Sequence, residues 1–357
     1  MITLKELSQI LGVSTATVSN ALKGKGRMGA DKRLKIIETA TAMGYDVQNA
    51  MLRQHTKNVY LLVEQLDIAF LTIAIEQICL AAQALDINVY ICNLNMVTRL
   101  KTIFPDTEQL RELIRPTFHN ILSVASGIIY LSQYPRDLTG IFPKTSIPIV
   151  IAFGISKDAI PCVNYDDANG AYLATEHLIQ AGCKRIAMIS GPINSISMTK
   201  RLSGYTRALL DGGIDFDPKL IQLSDWMEGS GYLCAKMLLN QEPHPDAFFC
   251  QNDSMAVGAM KAVRELGLCV PDDIAIVGFD NDRFDSLIEP SLTSIAPPFE
   301  QIGQKAFECL LEKMNKTPVS GSWKLECKLI PRSSSQKKKR AEPPSLAALY
   351  RAPCRFA

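Results

Sequence analysis

Short apolar runs alternate with stretches of helical periodicity from Val59 onward, and this alternation limits the possible folds most. Seven runs have the continuous apolar character of buried parallel strands: 59–64, 87–93, 126–131, 147–153, 183–190, 247–252 and 274–280. Helical patterns such as 168–182 and 253–267 lie between them. Two sets of strand-helix units predict two doubly wound α/β subdomains with a cleft between them. Ligands bind beside the carboxyl ends of strands in such folds.

The first 45 residues have a different pattern, that of short helices. Thr3 followed by Glu6 is a capping-box pair, and the apolar residues around it recur at helical spacing, which predicts a helix over 4–11. Gly12 then supplies the backbone freedom that a tight turn requires.

A second helix is predicted from Ser14, a good N-cap, to about residue 22, and a third over 31–43. Their inward-facing residues should be Val18, Ala21 and Leu22 in the second helix and Leu34, Ile36, Ile37 and Ala40 in the third. Two short helices around a glycine turn, braced by a third, form an all-α helix-turn-helix domain.

Charge is distributed unevenly along the 357 residues. Residues 1–57 hold nine Lys or Arg and four acids, residues 332–357 hold seven bases and one acid, and residues 58–331 carry about nine excess negative charges. A basic head on an acidic body is typical of a nucleic-acid-binding module joined to a sensor.

Several classes of protein are disfavoured by what the sequence lacks. No secretory signal and no apolar run of about 20 residues is visible, which predicts a cytoplasmic protein without a membrane partner. Ten cysteines without a CxxC pair predict free thiols. Four histidines without metal or nucleophile spacing, and no P-loop or GxGxxG, predict no cofactor, no metal and no enzyme activity.

The predicted second helix carries residues suited to reading DNA. The first turns of such a helix enter the major groove, where Thr15, Ala16 and Asn20 would be exposed. Asparagine can bond both edge groups of adenine, and a threonine or alanine methyl can contact a thymine methyl.

Hydroxyl groups are dense around these positions. Thr3, Ser14, Thr17 and Ser19 are predicted to bond phosphate oxygens, which would fix the register of the protein on DNA, and Arg33 is a further candidate for DNA contact. The alternative for each hydroxyl is ordinary helix capping or surface filling.

The segment "TLKELSQILGVSTATVSNAL" resembles the start of a LacI/GalR-family transcriptional regulator. Residues 1–333 continue the resemblance in "VNYDDANGAYLATEHLIQAGCKRIAMISGP", "RLSGY", "QNDSMAVGAM", "VPDDIAIVGFDND" and "PSLTSI". It implies a repressor with a helix-turn-helix head and a periplasmic-binding-protein-like body, controlled by a sugar or sugar derivative. Because one short helix contacts few bases, a homodimer on a double-stranded DNA operator is expected.

The resemblance also implies domain boundaries: a DNA-binding head at 1–45, a hinge at 46–57, an effector-binding and dimerisation body at 58–333, and a basic, disordered tail at 334–357. In the family the hinge inserts a leucine into the minor groove. Leu52 is the nearest candidate here and Met51 the second, although this hinge is shorter and lacks the usual proline-asparagine start. The alternative is a plain tether.

Five residues match effector-contact positions of the family. Arg201 matches an arginine that holds ligand hydroxyls or a carboxylate. Asn252 and Asp280 match polar residues at strand ends, and Trp226 and Phe70 match aromatic residues of the cleft. The alternatives are a surface salt bridge for the arginine, a loop or cap role for the polar pair, and a core position for the tryptophan.

The match is weakest in the first subdomain, where "DIAFL" at 67–71 replaces the polar pattern of similar proteins. This divergence leaves open a second hypothesis, a DNA-binding regulator whose body answers to a protein partner.

Overall fold

The computed structural model describes residues 2–22, 28–45 and 57–337. The head contains α1 (Leu4–Ile10), α2 (Thr15–Leu22) and α3 (Ala30–Ala42). The predicted capping box is present, because Thr3 Oγ1 accepts the Glu6 amide and the Glu6 carboxylate accepts the Thr3 amide. Gly12 turns the chain with a φ of +63°, in the left-handed region. Met51 and Leu52, the hinge candidates, lie outside the described residues.

A small apolar core holds the three head helices together. It consists of Leu7, Val18, Ala21, Leu22, Ile36 and Ala40. The prediction that Leu34 faces inward was wrong, since 56% of its surface is exposed. Leu34 is two residues, or about 200° around the helix, from the buried Ile36, so it projects from the opposite side of α3.

The body consists of two lobes, each built on a six-stranded sheet. The N-lobe sheet is entirely parallel, in the order β11-β5-β4-β3-β1-β2. The C-lobe sheet has the order β12-β10-β9-β8-β6-β7 and is parallel except at β12. The strands are β1 (Asn58–Val63), β2 (Asn88–Asn93), β3 (Gly127–Leu131), β4 (Ile149–Ala152), β5 (Cys162–Tyr165), β6 (Ile186–Ser190), β7 (Ile221–Leu223), β8 (Ala247–Cys250), β9 (Ala275–Phe279), β10 (Thr293–Ala296), β11 (Ser322–Leu325) and β12 (Lys328–Ile330).

Eight α-helices accompany the body strands within the described residues. They are α4 (Ala69–Gln83), α5 (Met96–Leu100), α6 (Thr107–Ile121), α7 (Asp167–Gln180), α8 (Ile196–Asp211), α9 (Glu228–Leu239), α10 (Asp253–Glu265) and α11 (Phe299–Met314). The predicted doubly wound α/β architecture is confirmed in both lobes. All seven predicted apolar runs contain strands, with the first four in the N-lobe and the other three in the C-lobe.

One predicted strand is less buried than expected. The run at 87–93 was expected to be buried, but β2 is the edge strand of the N-lobe, and Tyr90 and Ile91 are about half exposed. An edge strand has a neighbour on one side only, so its apolar residues are not covered as those of a central strand are.

The chain crosses between the lobes three times: from β5 to β6, from β10 to β11, and from β11 to β12. Each lobe is therefore assembled from separate stretches of sequence. Helix α11, which follows a C-lobe strand, packs against α4 of the N-lobe so closely that a Cβ at Gly303 would lie 2.4 Å from the Ala74 carbonyl oxygen. The crossings bring the carboxyl ends of both sheets to a common cleft.

The body extends a few residues beyond its predicted end at residue 333. Residues 334 and 335 were assigned to the disordered tail, but they belong to a buried 3₁₀ turn, Ser333–Ser335. Ser334 Oγ accepts the Thr293 amide at 2.8 Å and donates to the Ile276 carbonyl. Lys337 Nζ also donates to the Asp246 carbonyl oxygen at 3.1 Å, so the C-lobe extends to at least Lys337, and residues 338–357 lie outside the described part.

Within the described ranges no helix is both long and apolar enough to cross a membrane, and no group of three His, Cys, Asp or Glu side chains could hold a metal. The nine cysteines in those ranges are free thiols, and six of them are buried. Burial raises the pKa of the Cys183 thiol to about 11, so this residue packs as a small apolar side chain.

The contact between α9 and α10 yields a matched pair of substitutions. A Cβ at Gly258 would lie 2.1 Å from the Glu228 carbonyl oxygen, whereas nothing lies within 4 Å of a Cβ at Gly229. We expect Gly258→Ala to lower the free energy of unfolding by about 1–3 kcal/mol through overpacking. Gly229→Ala should leave it unchanged or raise it by up to about 1 kcal/mol. Thermal denaturation of both variants tests this, and equal melting temperatures would contradict the close packing.

Candidate functional site

A cavity of about 520 Å³ lies between the lobes at the carboxyl ends of their strands. The five predicted effector residues all line it, namely Phe70, Arg201, Trp226, Asn252 and Asp280. The structure therefore brings these side chains together, as the sequence predicted, and their role in binding stays a prediction.

Arg201, on α8, is buried at the back of this cavity. Its Nε donates to the Asp167 carboxylate at 2.8 Å, and its Nη2 donates to the Tyr165 hydroxyl at 3.1 Å. The guanidinium carbon stands 3.6 Å from the centre of the Phe279 ring. The alternative of a surface salt bridge was wrong, because both partners of the ion pair are buried.

The bonds of Arg201 leave part of its donor fork free for a ligand. Nη1 donates to the Gln251 carbonyl oxygen, and Nη2 also faces the Asp280 carboxylate at 3.8 Å. A guanidinium has five N–H groups, of which three make hydrogen bonds and a fourth points to this carboxylate. Tyr165 belongs to the N-lobe, so this arginine also connects the two lobes.

Trp226 is both a core aromatic and a wall of the cavity. Only 7% of its surface is exposed, yet it lines the cavity and has a φ of +74°. Gly191 allows the indole to pack against the backbone, since a Cβ there would lie 2.1 Å from the ring. The ring of Tyr134, from the N-lobe, is nearly parallel to the indole at 6.5 Å between centroids.

Asn252 and Asp280 differ in how much bonding capacity they retain. Asn252 caps α10 by accepting the Met255 amide, and its amide group donates to the Trp226 carbonyl, both at 2.9 Å. The alternative cap role is therefore present. Asp280 has a φ of +111° and keeps 29% of its side chain exposed. Burial raises the pKa of this carboxyl well above its usual range.

Phe70, near the start of α4, lies on the N-lobe side of the cavity. Its ring stacks on Phe299 at 5.2 Å and meets the edge of Phe153 at 5.1 Å. The cluster joins three separate parts of the sequence and gives this wall a rigid apolar surface.

Three residues that line the cavity each have a buried polar atom without a hydrogen-bond partner among the described residues: Gln133 Oε1, Ser197 Oγ and Trp226 Nε1. An unsatisfied buried polar group costs about 1–3 kcal/mol, so such atoms mark positions where a ligand or water bonds. Gln133 and Ser197 were not predicted from the sequence. The available signal was their position, because Gln133 follows a buried strand by two residues and Ser197 opens a helix.

A buried carboxylate holds the N-lobe wall in place. Glu64 accepts the Tyr130 hydroxyl and the Gln133 amide, both at 2.8 Å, and pairs with Arg136 at 3.1 Å. These bonds fix segment 132–136, which carries Tyr134 into the cavity. No sequence pattern marks this role, since Glu64 is the last residue of an apolar run.

A second acidic cluster lies behind the C-lobe wall. Asp253 accepts the Ser294 hydroxyl at 2.7 Å and the Asp282 amide at 3.0 Å. Its neighbour Asp285 is fully buried, neither of its oxygens accepts a hydrogen bond, and Arg332 is 3.6 Å away. Burial raises the pKa of Asp285 to about 7, and the two carboxyls can hydrogen-bond only if one is protonated.

In the head, Thr15, Ala16 and Asn20 are exposed on α2, as DNA reading requires. The hydroxyls around them have local partners. Thr3 Oγ1 accepts the Glu6 amide and donates to its carboxylate, and Ser14 Oγ accepts the Thr17 amide at 3.1 Å. The capping alternative therefore describes these two hydroxyls. Those of Ser14 and Thr17 also bond each other at 2.8 Å, while Ser19 and Arg33 are half-buried.

Comparison with known proteins identifies the family. A model of the periplasmic binding protein-like domain matches residues 175–335. The HTH-type transcriptional repressor PurR of Photorhabdus laumondii is 30% identical over 94% of this chain and 97% of its own length. Catabolite control protein A of Priestia megaterium is also 30% identical, over 90% and 95%. The chain belongs to the LacI/GalR family of transcriptional regulators.

Solved structures agree with this assignment. The lac repressor dimer bound to operator and the anti-inducer ONPF matches 94% of the chain and 99% of its own with a TM-score of 0.75 at 25% identity. A further sequence relative, the repressor CytR of Escherichia coli K12, is 30% identical over 94% of the chain and 96% of its own length. Like these LacI/GalR relatives, the protein is a DNA-binding transcriptional repressor and not an enzyme.

The carboxyl pair behind the C-lobe wall makes stability depend on pH. A folded-state pKa of about 7 for Asp285, against about 3.9 in an unfolded chain, means that folding binds a proton. Stability from this group is therefore present at low pH and is lost as pH rises from about 4 through about 7, at about 1.4 kcal/mol per unit of pKa difference. In Asp285→Asn this loss should vanish, so the variant should gain melting temperature relative to the wild type between about pH 5 and about pH 8.

Asp215→Asn is a suitable control, because Asp215 is exposed on the same lobe. Its melting curve should parallel that of the wild type at every pH. If the melting temperature of Asp285→Asn also follows that of the wild type at every pH, Asp253 and Asp285 do not share a proton.

Proposed function

We propose that this repressor binds an operator as a homodimer and is controlled by a small molecule, a sugar or sugar derivative, in the inter-lobe cavity. The observation that carries the proposal is the set of three buried, unpartnered polar atoms on Gln133, Ser197 and Trp226. They lie beside aromatic faces and carboxylates, and a polyol combines an apolar ring face with many hydroxyls.

The head provides the DNA-binding part of the proposal. Thr15, Ala16 and Asn20 form one exposed group on the second helix of a helix-turn-helix. One such helix contacts few base pairs, so two heads about one helical turn apart are needed for specific binding. The lac repressor structure, a dimer on its operator, is consistent with this arrangement.

Control by the ligand follows from the position of the cavity. A ligand that bonds Gln133 of one lobe and Ser197 of the other changes the free energy of lobe closure. It shifts operator affinity only if it binds the two lobe arrangements with different affinities. The inter-lobe cavity, lined by all five side chains that match effector positions of the family, favours the small-molecule hypothesis over a body that answers to a protein partner.

Base reading can be tested at one position. Asn20→Ala should remove discrimination at a single operator base pair, worth about 1–3 kcal/mol, because the amide bonds to adenine are lost. Ser19→Ala should weaken binding to every sequence alike, as the loss of a phosphate contact does. Operator selection from random duplexes followed by titration of single-base variants measures both. An unchanged sequence profile for Asn20→Ala would exclude it as a base-reading residue.

Effector binding can be followed through tryptophan fluorescence. The chain has two tryptophans, and Trp323→Phe leaves Trp226 as the sole reporter. A panel of neutral sugars, sugar phosphates and nucleosides should contain a compound that changes both this fluorescence and operator affinity, the latter at least about fivefold. A panel without any such compound, with an intact dimer, would reject small-molecule control and favour the protein-partner hypothesis.

A further inference from the structure

The buried cation of the cavity is already matched by carboxylates of the protein. Arg201 pairs with Asp167 at 2.8 Å, and Asp280 stands 3.8 Å from the same guanidinium. One buried guanidinium therefore faces two carboxyl groups, so Arg201 leaves no positive charge in excess for an anionic ligand.

Further carboxylates line or support the same wall. Asp282 is half-buried, lines the cavity and has no ion-pair partner among residues 57–337. Behind it, Asp285 pairs with Arg332, while Asp253 has no ion-pair partner among residues 57–337. Asp67 and Arg283, which are exposed and also line the cavity, offset each other in charge. The cavity lining therefore holds more carboxyl groups than cationic groups.

A residue of the N-lobe independently favours a ligand that donates hydrogen bonds. Gln133 is 4% exposed, lines the cavity, and its Oε1 accepts no hydrogen bond. The cavity lining thus combines an unpartnered acceptor residue in the N-lobe with an excess of carboxyl groups over cations in the C-lobe. A protonated amine carries three N–H donors and no acceptor, and it supplies the missing positive charge.

We propose that the effector is a polyol that carries a protonated amine, an amino sugar or a close analogue, with its ammonium group against Asp280 and Asp282. This inference rests on the proposed function, because it concerns the ligand of the same cavity. The hydroxyls of such a ligand would meet Ser197 and the one remaining N–H group of Arg201.

The proton balance of the cavity supports this assignment. Burial raises the pKa of Asp282 and raises that of Asp280 well above its usual range. Arg201 and Asp167 are the other charged groups that face Asp280, together with the Asp253–Asp285 pair. A bound cation lowers these pKa values, so binding releases protons. Affinity for an amine should therefore rise with pH as these carboxyls lose their protons, as long as the amine remains charged.

Matched sugars test the inference on the full-length dimer. Glucose, galactose and mannose are compared by calorimetry with their 2-amino and 2-acetamido derivatives, which differ from them in one substituent. We expect at least one amino sugar to bind about tenfold or more tightly than both its neutral counterparts, with an affinity that rises with pH. Neutral sugars that bind as well as the amines, or no binding by any of these compounds, would overturn the inference.

Two variants and a control locate the charge. Asp282→Asn and Asp280→Asn should each weaken amino-sugar binding about tenfold or more and flatten its pH dependence. Asp215→Asn removes an exposed carboxylate that does not line the cavity, and it should bind as the wild type does. Equal weakening by all three variants would mean nonspecific attraction. A neutral compound that controls operator affinity in the broader panel would refute this inference alone, whereas a silent broader panel would refute the proposed function as well.

Discussion

The buried guanidinium of Arg201 is the interaction on which the rest of the body depends. It joins Asp167, at the start of a crossover helix, to Tyr165 at the end of an N-lobe strand, and it packs on the Phe279 ring of the C-lobe. A buried charge is tolerated only when its hydrogen bonds and its counter-charge are both supplied. The two lobes supply them together, so a change in their relative position changes this cluster directly.

The three crossings between the lobes explain why such a cluster can sense a ligand. Each lobe has its own sheet, while α7 and α11 carry the chain from one lobe to the other at the cleft. A ligand in the cavity contacts both lobes and the charged cluster at once. The DNA-binding head precedes β1 in the sequence. A small motion of one lobe relative to the other can therefore change where the head is held.

Much of the architecture could be predicted from sequence because apolar runs and helical spacing directly reflect burial. The parts that escaped prediction have physical reasons. Strand β11 has four residues and β12 has three, and none of these residues is fully buried, so no continuous apolar run marks either strand. The exposure of β2 depends on its place in the sheet order, and the burial of Ser334 depends on bonds to residues about 40 or more positions away.

The cavity, too, could be predicted from the sequence only in part. The family resemblance predicted that Arg201, Asp280 and Trp226 lie at the cleft. It did not predict which groups of the protein these side chains contact. Gln133 and Ser197 stand out only because their atoms lack a partner, a property of the folded molecule that no local sequence pattern contains. The excess of carboxyl groups over cations in the cavity likewise emerges only when residues from separate segments of the sequence are placed together.

The coupling between cavity and head can be tested most directly by reciprocity. The affinity of the Trp323→Phe protein for the compound that controls it is measured through Trp226, alone, with saturating operator duplex, and with random duplex. Operator should change that affinity by the same factor, about fivefold or more, by which the compound changes operator affinity, and random duplex should change it far less. An identical affinity in all three conditions would contradict the account, because the head and the cavity would then be independent.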